Sequence, residues 1–458
     1  MTTSEARSPF HAVLAGAFRR FRSSGRAAAL AAGLLLAAGC ASDSGPAGQW
    51  HAMLEPAYDY PYDNPWVATI LGTPPQMRAE FPGEVRPERH RLVLFEGRER
   101  PEGFWYHDGL YYSTLLQPRR APLVFVIAGT GADDRAAKML TLGRILHAAG
   151  MHVVLLPSPS HANFIVSAGS NFRPGQPAMD AADLLNVIQR VHRRIAGRVE
   201  ISDLHLTGYS LGAWHAAFTA KLDEERGDLG FKRVLLINPP VSLYRSIQRL
   251  DGMLLSGLQN GIDDLDRFLD QAVARLSAVY RNTDALDFGF DSFLTKAYEE
   301  LQPTDDRLAT TIGLTFRLSS SNMIFASDVM SRAGYIFPRD RSFESTTPLS
   351  EYLAVALRTS FIDYFNDLYT EAYLAGSPSG DVRGLIEGSS LSSIGDWLRR
   401  RDNVGLLTSA DDVILAPGDL EELRRIFGSR ARIYRNGGHV GNLEHRAVAA
   451  HIANFFGP

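Results

Sequence analysis

The alternation of short apolar runs with helical patterns most constrains how this chain can fold. Between residues 122 and 240 the apolar runs are PLVFVIAG, HVVLLP, DLHLTG and RVLLINPP. A β-strand that helices cover on both faces has an unbroken apolar sequence of this kind. The segments between these runs carry apolar residues at helical spacing. The chain is therefore predicted to form an α/β domain with a mostly parallel, doubly wound sheet.

The strand signal stops after residue 240 and returns near residue 401 with VGLLTSADD and ARIYRNGGH. Between these points the pattern is helical, and one stripe of large apolar residues is aromatic. The stripe runs from Phe361 to Tyr373, on an amphipathic helix that is marked by Phe361, Tyr364, Phe365, Leu368 and Tyr369. We expect residues 89–240 and 401–458 to form one sheet domain and residues 241–400 to be an α-helical cap inserted into it. The aromatic stripe could line an apolar cavity or pack the cap onto itself.

The N-terminal region differs from the rest of the chain. Five arginines precede an uncharged apolar stretch, residues 27–39, which ends in LLLAAGC at Cys40. A basic region followed by a short apolar segment is typical of a secretory signal peptide. The segment is too short to favour a transmembrane helix. We expect residues 1–39 to be a signal peptide and residues 40–88, which are rich in Pro, Gly and Tyr, to be a tether that wraps onto the next domain.

LAAGC resembles the lipobox of bacterial lipoproteins, although Ala37 occupies the position where leucine is commonest in that family. The resemblance implies cleavage before Cys40, lipid attachment to that cysteine and a membrane-anchored protein in the cell envelope. Ala41 and Ser42 follow the cysteine, which in this family favours the periplasmic face of the outer membrane. The formal net charge of -4 and the lack of a Lys/Arg tract give no indication of a nucleic-acid partner.

A serine flanked by glycines, in GYSLG, follows one of the apolar runs directly and precedes an Ala-rich helical segment. A serine hydroxyl is a weak nucleophile that needs a base within hydrogen-bonding reach and access to substrate. A sharp turn between strand and helix exposes the hydroxyl, but it crowds the residues on either side. Gly208 and Gly212 would relieve that crowding, which makes Ser210 a candidate nucleophile.

GYSLG between a strand and a helix resembles the nucleophile elbow of the α/β-hydrolase superfamily, whose catalytic residues follow in the order Ser, acid, His. The resemblance covers residues 89–240 and 401–458, and the insertion matches the helical caps that this family carries. In the family the acid follows a late strand and precedes two apolar residues after one intervening residue. That pattern favours Asp411, with Asp412 as the alternative. The other family position for the acid holds Asn238, whose amide cannot replace a carboxylate.

The family resemblance implies that His439, in the glycine-rich segment after the last strand, is the catalytic base. His215, His445 and His451 lie in helical segments, and we expect them to be packing or surface residues. The oxyanion of the reaction needs two donors. By alignment with the family, these are the backbone N–H groups of Leu211 and Thr130.

Together these residues predict a membrane-tethered serine hydrolase that cleaves carboxylic esters of small molecules or lipids through an acyl-enzyme. The mechanism needs no metal or cofactor, and the histidine spacing does not match a zinc site. Two other functions stay open at this point. One is a peptidase or amidase with the same triad, and the other is a non-catalytic envelope lipoprotein that retains the fold.

Overall fold

The computed structural model describes residues 58–81, 85–271, 274, 290–374 and 381–457. Cys40 and the predicted signal peptide lie outside the described residues, as does the first part of the predicted tether. Within the described ranges, no helix combines the length and the apolar character needed to cross a membrane.

Eight strands form a single sheet with the order β1-β2-β4-β3-β5-β6-β7-β8. Strands β1 and β2 pair antiparallel, as do β2 and β4, and all other pairs are parallel. The strands are β1 Glu88–Leu92, β2 Leu110–Leu115, β3 Ala121–Ile127, β4 His152–Leu156, β5 Ile201–Tyr209, β6 Arg233–Ile237, β7 Val404–Ser409 and β8 Ala431–Tyr434. The predicted mostly parallel sheet is confirmed.

Helices cover both faces of the sheet, and alternate residues of β3 pack into two different apolar clusters. Phe125 points to one face and Val126 to the other. This explains the unbroken apolar sequence of the central strands, because every side chain of such a strand is buried. The first face packs against helices Pro177–Ala196, Leu211–Arg226 and Asp419–Phe427, and the second against helices Ala137–Ala148 and Arg446–Phe456.

The segment GFWYHDG, residues 103–109, has the aromatic composition of a β-strand but does not form one. Residues Glu102–Phe104 form a turn of 3-10 helix, and β1 pairs directly with β2. Residues of this segment instead contact the region between β6 and β7. Phe104 packs edge-on against Phe343 at a centroid distance of 4.9 Å, and the Gly103 N–H donates to the carbonyl oxygen of Phe343.

Between β6 and β7 the described chain is helical, and we call this region the cap. Its helices include Leu243–Ser256, Phe290–Leu301, Asp305–Ser331, Ser350–Arg358, Phe361–Asp363, Thr370–Leu374, Val382–Gly388 and Gly395–Arg399. A π-helical turn, Tyr364–Tyr369, joins the fifth and sixth of these without a break. The chain therefore has an α/β fold, a mostly parallel, doubly wound sheet with a helical insertion, as expected.

Two helices outside the sheet layers bear on the site described below. The longest cap helix is Asp305–Ser331, and we call it the cap helix. The short helix Pro65–Leu71, which precedes β1, is called the N-terminal helix. Val67 and Leu308 bury their side chains in one small apolar cluster, which joins the two helices.

Candidate active site

Ser210 lies between the end of β5 and the start of helix Leu211–Arg226, in a strained turn. Its backbone has φ 56° and ψ -127°, a conformation that non-glycine residues rarely adopt. A Cβ atom on Gly208 would lie 2.3 Å from the carbonyl oxygen of Gly212, and one on Gly212 would lie 2.1 Å from that of Ile127. Both positions therefore exclude any side chain, and this is the physical reason for the two glycines.

The Ser210 hydroxyl and two other side chains form a continuous hydrogen-bonded row. Atom Nε2 of His439 lies 2.9 Å from Ser210 Oγ. On the other side of the ring, Nδ1 lies 2.9 Å and 3.1 Å from the two carboxylate oxygens of Asp412. Because an ionised carboxylate can only accept, the proton of a neutral imidazole belongs on Nδ1. Nε2 is then free to accept the proton of the serine hydroxyl.

The acidic residue in contact with His439 is Asp412, so the expectation that favoured Asp411 is corrected here. The Asp411 carboxylate instead accepts backbone N–H groups of Gly438 at 2.9 Å and Gly437 at 3.2 Å. The turn after β7 therefore directs the first carboxylate to the backbone of the histidine segment and the second to the imidazole. Burial raises the pKa of Asp411 to about 6, and the neighbouring charge of Asp412 acts in the same direction.

Asn238 also belongs to this arrangement, in a role that the sequence did not suggest. Its side-chain amide donates to Asp412 at 2.7 Å, and the backbone N–H of Ile414 donates to the same carboxylate at 3.1 Å. Asn238 follows the end of β6 and has a positive φ of 48°. The residue thus occupies the alternative position for a catalytic acid, but it orients the carboxylate of Asp412.

The segment that carries His439, residues 436–445, is called the histidine loop, and the N-terminal helix supports it. The backbone N–H of His439 donates to Thr69 Oγ1 at 2.9 Å, and that hydroxyl donates to the Pro65 carbonyl oxygen at 2.7 Å. A Cβ atom on Gly438 would lie 2.4 Å from Thr69 Oγ1. Sequence analysis had assigned this region to a tether and had not related Thr69 to the site.

Thr130 and Leu211, the two residues expected to supply oxyanion donors, line the same cavity as Ser210. Leu211 begins the helix after Ser210, and the exposed N–H groups at a helix N-terminus favour negative charge. Thr130 belongs to the turn after β3. The next N–H in that turn, of Gly131, donates to Ser160 Oγ at 2.9 Å, which fixes the turn beside the cavity.

The cavity at Ser210 has about 820 Å³ of space free of protein atoms, which includes space open to solvent, and it lies between the sheet domain and the cap. Four residues of the aromatic stripe line it, namely Phe361, Tyr364, Phe365 and Tyr369. These four residues also belong to one apolar cluster of the cap, together with Leu368, which does not line the cavity. The stripe therefore both lines the cavity and packs the cap.

The three other histidines considered in the sequence, all in the described part of the chain, do not line the cavity. His215 is buried and bonds Asp180 at 3.0 Å, and His445 bonds Asp59 at 2.9 Å while capping the last helix. His451 lies on that helix, where burial lowers its pKa to about 4. Within the described residues, no group of three or more His, Cys, Asp or Glu side chains could hold a metal ion.

No family model matches the sequence, and no curated protein matches it either. Solved structures do match. A thioesterase domain from the curacin biosynthetic pathway is 15% identical, with 81% of this chain and 99% of that chain covered and a TM-score of 0.37. Est1E from Butyrivibrio proteoclasticus is 11% identical, with coverages of 76% and 94% and a TM-score of 0.34.

A third match is a structure described as a membrane phospholipase A and a bacterial virulence factor. It is 17% identical, with 81% of this chain and 85% of that chain covered and a TM-score of 0.36. These similarities are too low to carry an inference about activity. Any such inference depends on the geometry of the site itself.

Proposed function

We propose that the protein is a serine hydrolase that cleaves carboxylic esters through a covalent acyl-enzyme. The observation that carries this proposal is the row from Ser210 Oγ through the His439 ring to the Asp412 carboxylate, with 2.9 Å at each junction. All three side chains are at most 7% exposed. A buried hydroxyl in this arrangement has both a base to take its proton and a carboxylate to stabilise the imidazolium that results.

In the first half of the reaction, His439 Nε2 takes the hydroxyl proton while Ser210 Oγ forms a bond to the acyl carbon. The carbonyl oxygen becomes negatively charged, and the N–H groups of Leu211 and Thr130 are the donors available to it. The bond to the leaving oxygen then breaks, and His439 returns its proton to that oxygen. Water repeats the sequence on the acyl-enzyme, which releases the carboxylic acid and restores Ser210.

Labelling with a fluorophosphonate probe tests this proposal. Ser210 should be modified in the wild-type protein, and Ser210→Ala should neither react nor cleave p-nitrophenyl butyrate. Ser320→Ala is a matched control, because Ser320 is a buried cap serine whose hydroxyl bonds the Arg317 carbonyl oxygen. A folded wild-type protein that leaves the probe unreacted would contradict the proposal and favour a non-catalytic lipoprotein.

A parallel panel of aminoacyl p-nitroanilides separates ester from amide hydrolysis. An amide needs a protonated amine to leave, whereas an ester releases an alcohol or phenol more readily. We expect kcat/KM to be larger for esters than for anilides with the same acyl group. The opposite order would make the protein an amidase or peptidase with the same three side chains.

We further propose that Cys40 carries a lipid and that the protein is anchored in the cell envelope, facing the periplasm. The support is the LAAGC segment after an apolar stretch. Cys40→Ser should abolish incorporation of labelled palmitate and move the protein out of the membrane fraction. Activity per molecule on a soluble ester should persist, because residues between 130 and 439 form the triad and line the cavity beside it.

A further inference from the structure

The cavity beside Ser210 holds no charged side chain. Its twenty lining residues, all in the described part of the chain, include no Asp, Glu, Lys, Arg or His. A charged group of a ligand that entered this space would lose its hydration and find no side chain of opposite charge. Burial of an unpaired ion is among the most unfavourable events in a protein interior. The cavity therefore discriminates against ionised ligands.

Four of the hydroxyl groups in the wall do not offset this lack of charge, because their protons are already donated. Four wall hydroxyls bond main-chain carbonyl oxygens at 2.9–3.2 Å. They belong to Ser246, Ser389, Tyr364 and Tyr369, and their acceptors are on Ile414, Ile386, Pro174 and Gly175 respectively. Since a carboxylate needs hydrogen-bond donors, these four groups are not available to it.

Aromatic rings form much of the remaining wall, and their contacts fix its shape. The rings of Phe365 and Tyr369 are stacked at 5.4 Å, and Tyr244 meets Phe365 edge-on at 4.9 Å. Phe365 and Tyr369 belong to the π-helical turn, a feature that often occurs at functional sites. Burial raises the pKa of Tyr364 and Tyr369 above that of a free phenol, so both stay uncharged at neutral pH.

We propose that this cavity is the acyl-binding site and that it takes an uncharged hydrocarbon acyl chain. The inference rests on the proposed ester hydrolysis and names its substrate class. The acyl group is assigned to the cavity, rather than the alcohol, because it stays bonded to Ser210 between the two halves of the reaction. The alcohol leaves after the first half, so an apolar wall suits the group that remains.

A matched pair of substrates, assayed with the full-length protein, tests the proposal. p-Nitrophenyl octanoate and the p-nitrophenyl monoester of octanedioic acid differ only at the far end of the acyl chain, which is a methyl group or a carboxylate. We expect kcat/KM for octanoate to exceed that for the charged ester by at least ~100-fold, because the carboxylate would be buried without donors. We also expect octanoate to exceed p-nitrophenyl butyrate by ~10-fold or more, since the longer chain buries more apolar surface.

Two phenylalanine variants test where the acyl chain of the substrate binds within the cap. Phe365→Leu should reduce kcat/KM for octanoate several-fold more than for butyrate, because Phe365 lines the cavity. Phe337→Leu is the matched control. Phe337 is equally buried in the same apolar cluster but is not a lining residue, so its variant should change both substrates by the same factor.

Equal rates for octanoate and its charged analogue, or faster cleavage of butyrate than of octanoate, would overturn the assignment of the acyl site. In that case fluorophosphonate labelling of Ser210 and hydrolysis of short esters would still support ester hydrolysis. Loss of both labelling and hydrolysis in folded protein would remove the proposed function itself.

Hydrocarbon acyl chains occur both in membrane lipids and in dissolved esters. A final experiment distinguishes these two sources of substrate. Vesicles of phosphatidylcholine are incubated with the protein, and released fatty acid is measured beside octanoate hydrolysis. Release from vesicles would identify a membrane lipid as a source of the chain. Cleavage of octanoate without release would identify a dissolved ester, and both results support an apolar acyl site.

Discussion

Asp411 and Asp412 are adjacent carboxylates with the same chemistry, so replacing each by asparagine isolates the effect of position. In Asp412→Asn, the side-chain amide can present its NH2 group to the imidazole. Nδ1 would then have to accept, and the ring proton would move to Nε2, which faces Ser210. The base that should take the hydroxyl proton would be lost while the fold persists. We expect kcat for p-nitrophenyl butyrate to fall by ~10⁴, the size of loss that the wrong tautomer causes in a serine triad.

Asp411→Asn should behave differently, because the bonds at this position come from the backbone N–H groups of Gly437 and Gly438. An asparagine side-chain oxygen can still accept from one or both of them. Loss of the charge weakens such bonds by ~1 kcal/mol, which corresponds to less than ~10-fold in rate even if all of it reaches the transition state. The ratio of the two effects should therefore be about 10³ or more.

The assay is the steady-state rate of p-nitrophenolate release, measured at several substrate concentrations so that kcat and KM are resolved. Far- and near-ultraviolet circular dichroism would verify that both variants are folded. The assignment of the acid would be refuted if Asp411→Asn lost ~10³-fold or more in kcat while Asp412→Asn retained at least a tenth of wild-type activity.

Three further predictions concern the surroundings of the triad. Burial raises the pKa of Asp411 from 3.8 to about 6 in the folded protein. The stability that the protonated carboxyl contributes is therefore lost as the pH rises from 4 to 6. The melting temperature of Asp411→Asn relative to wild type should therefore rise between pH 4.5 and pH 7, and a fall would contradict the burial argument. Thr69→Val should lower kcat by ~5- to 10-fold at unchanged KM, and Thr69→Ser should restore it. The control Thr310→Val, which removes a hydroxyl with the same 2.7 Å bond to the carbonyl four residues earlier, should not change kcat. Gly212→Ala should destabilise the fold by about 1–3 kcal/mol or more in urea unfolding. Gly252→Ala, with open space around its Cβ position in a helix, should be neutral or stabilising.

The parts of the fold that follow from local sequence were predictable. The central strands are apolar throughout because helices cover both of their faces. The elbow at Ser210 needs glycines because a Cβ atom at either position would lie within 2.3 Å of a backbone carbonyl oxygen. The choice between Asp411 and Asp412 was not predictable in this way. It depends on the backbone path of the turn after β7, and a family pattern that counts apolar residues does not determine that path.

The contribution of residues before β1 was hidden for a related reason. Pro, Gly and Tyr gave residues 40–88 the composition of a tether, yet part of this region folds as the N-terminal helix and receives a bond from the histidine loop. Such a contact joins Thr69 to a residue 370 positions later in the chain. Sequence periodicity reports which face of an element is buried, but not which distant segment covers it.

His439 is consequently held in place by residues from two distant regions of the chain. Thr69 of the N-terminal helix receives its backbone N–H, and Phe316 of the cap helix lies 6.3 Å from its ring centroid. Val67 and Leu308 join those two helices to each other in one apolar cluster. Because these two helices contact each other and both contact His439, one through its backbone and one through its ring, a change in their packing should alter the position of the catalytic base. This explains why the cap belongs to the catalytic apparatus that we propose, and why variants in the Val67–Leu308 contact should alter kcat and stability together.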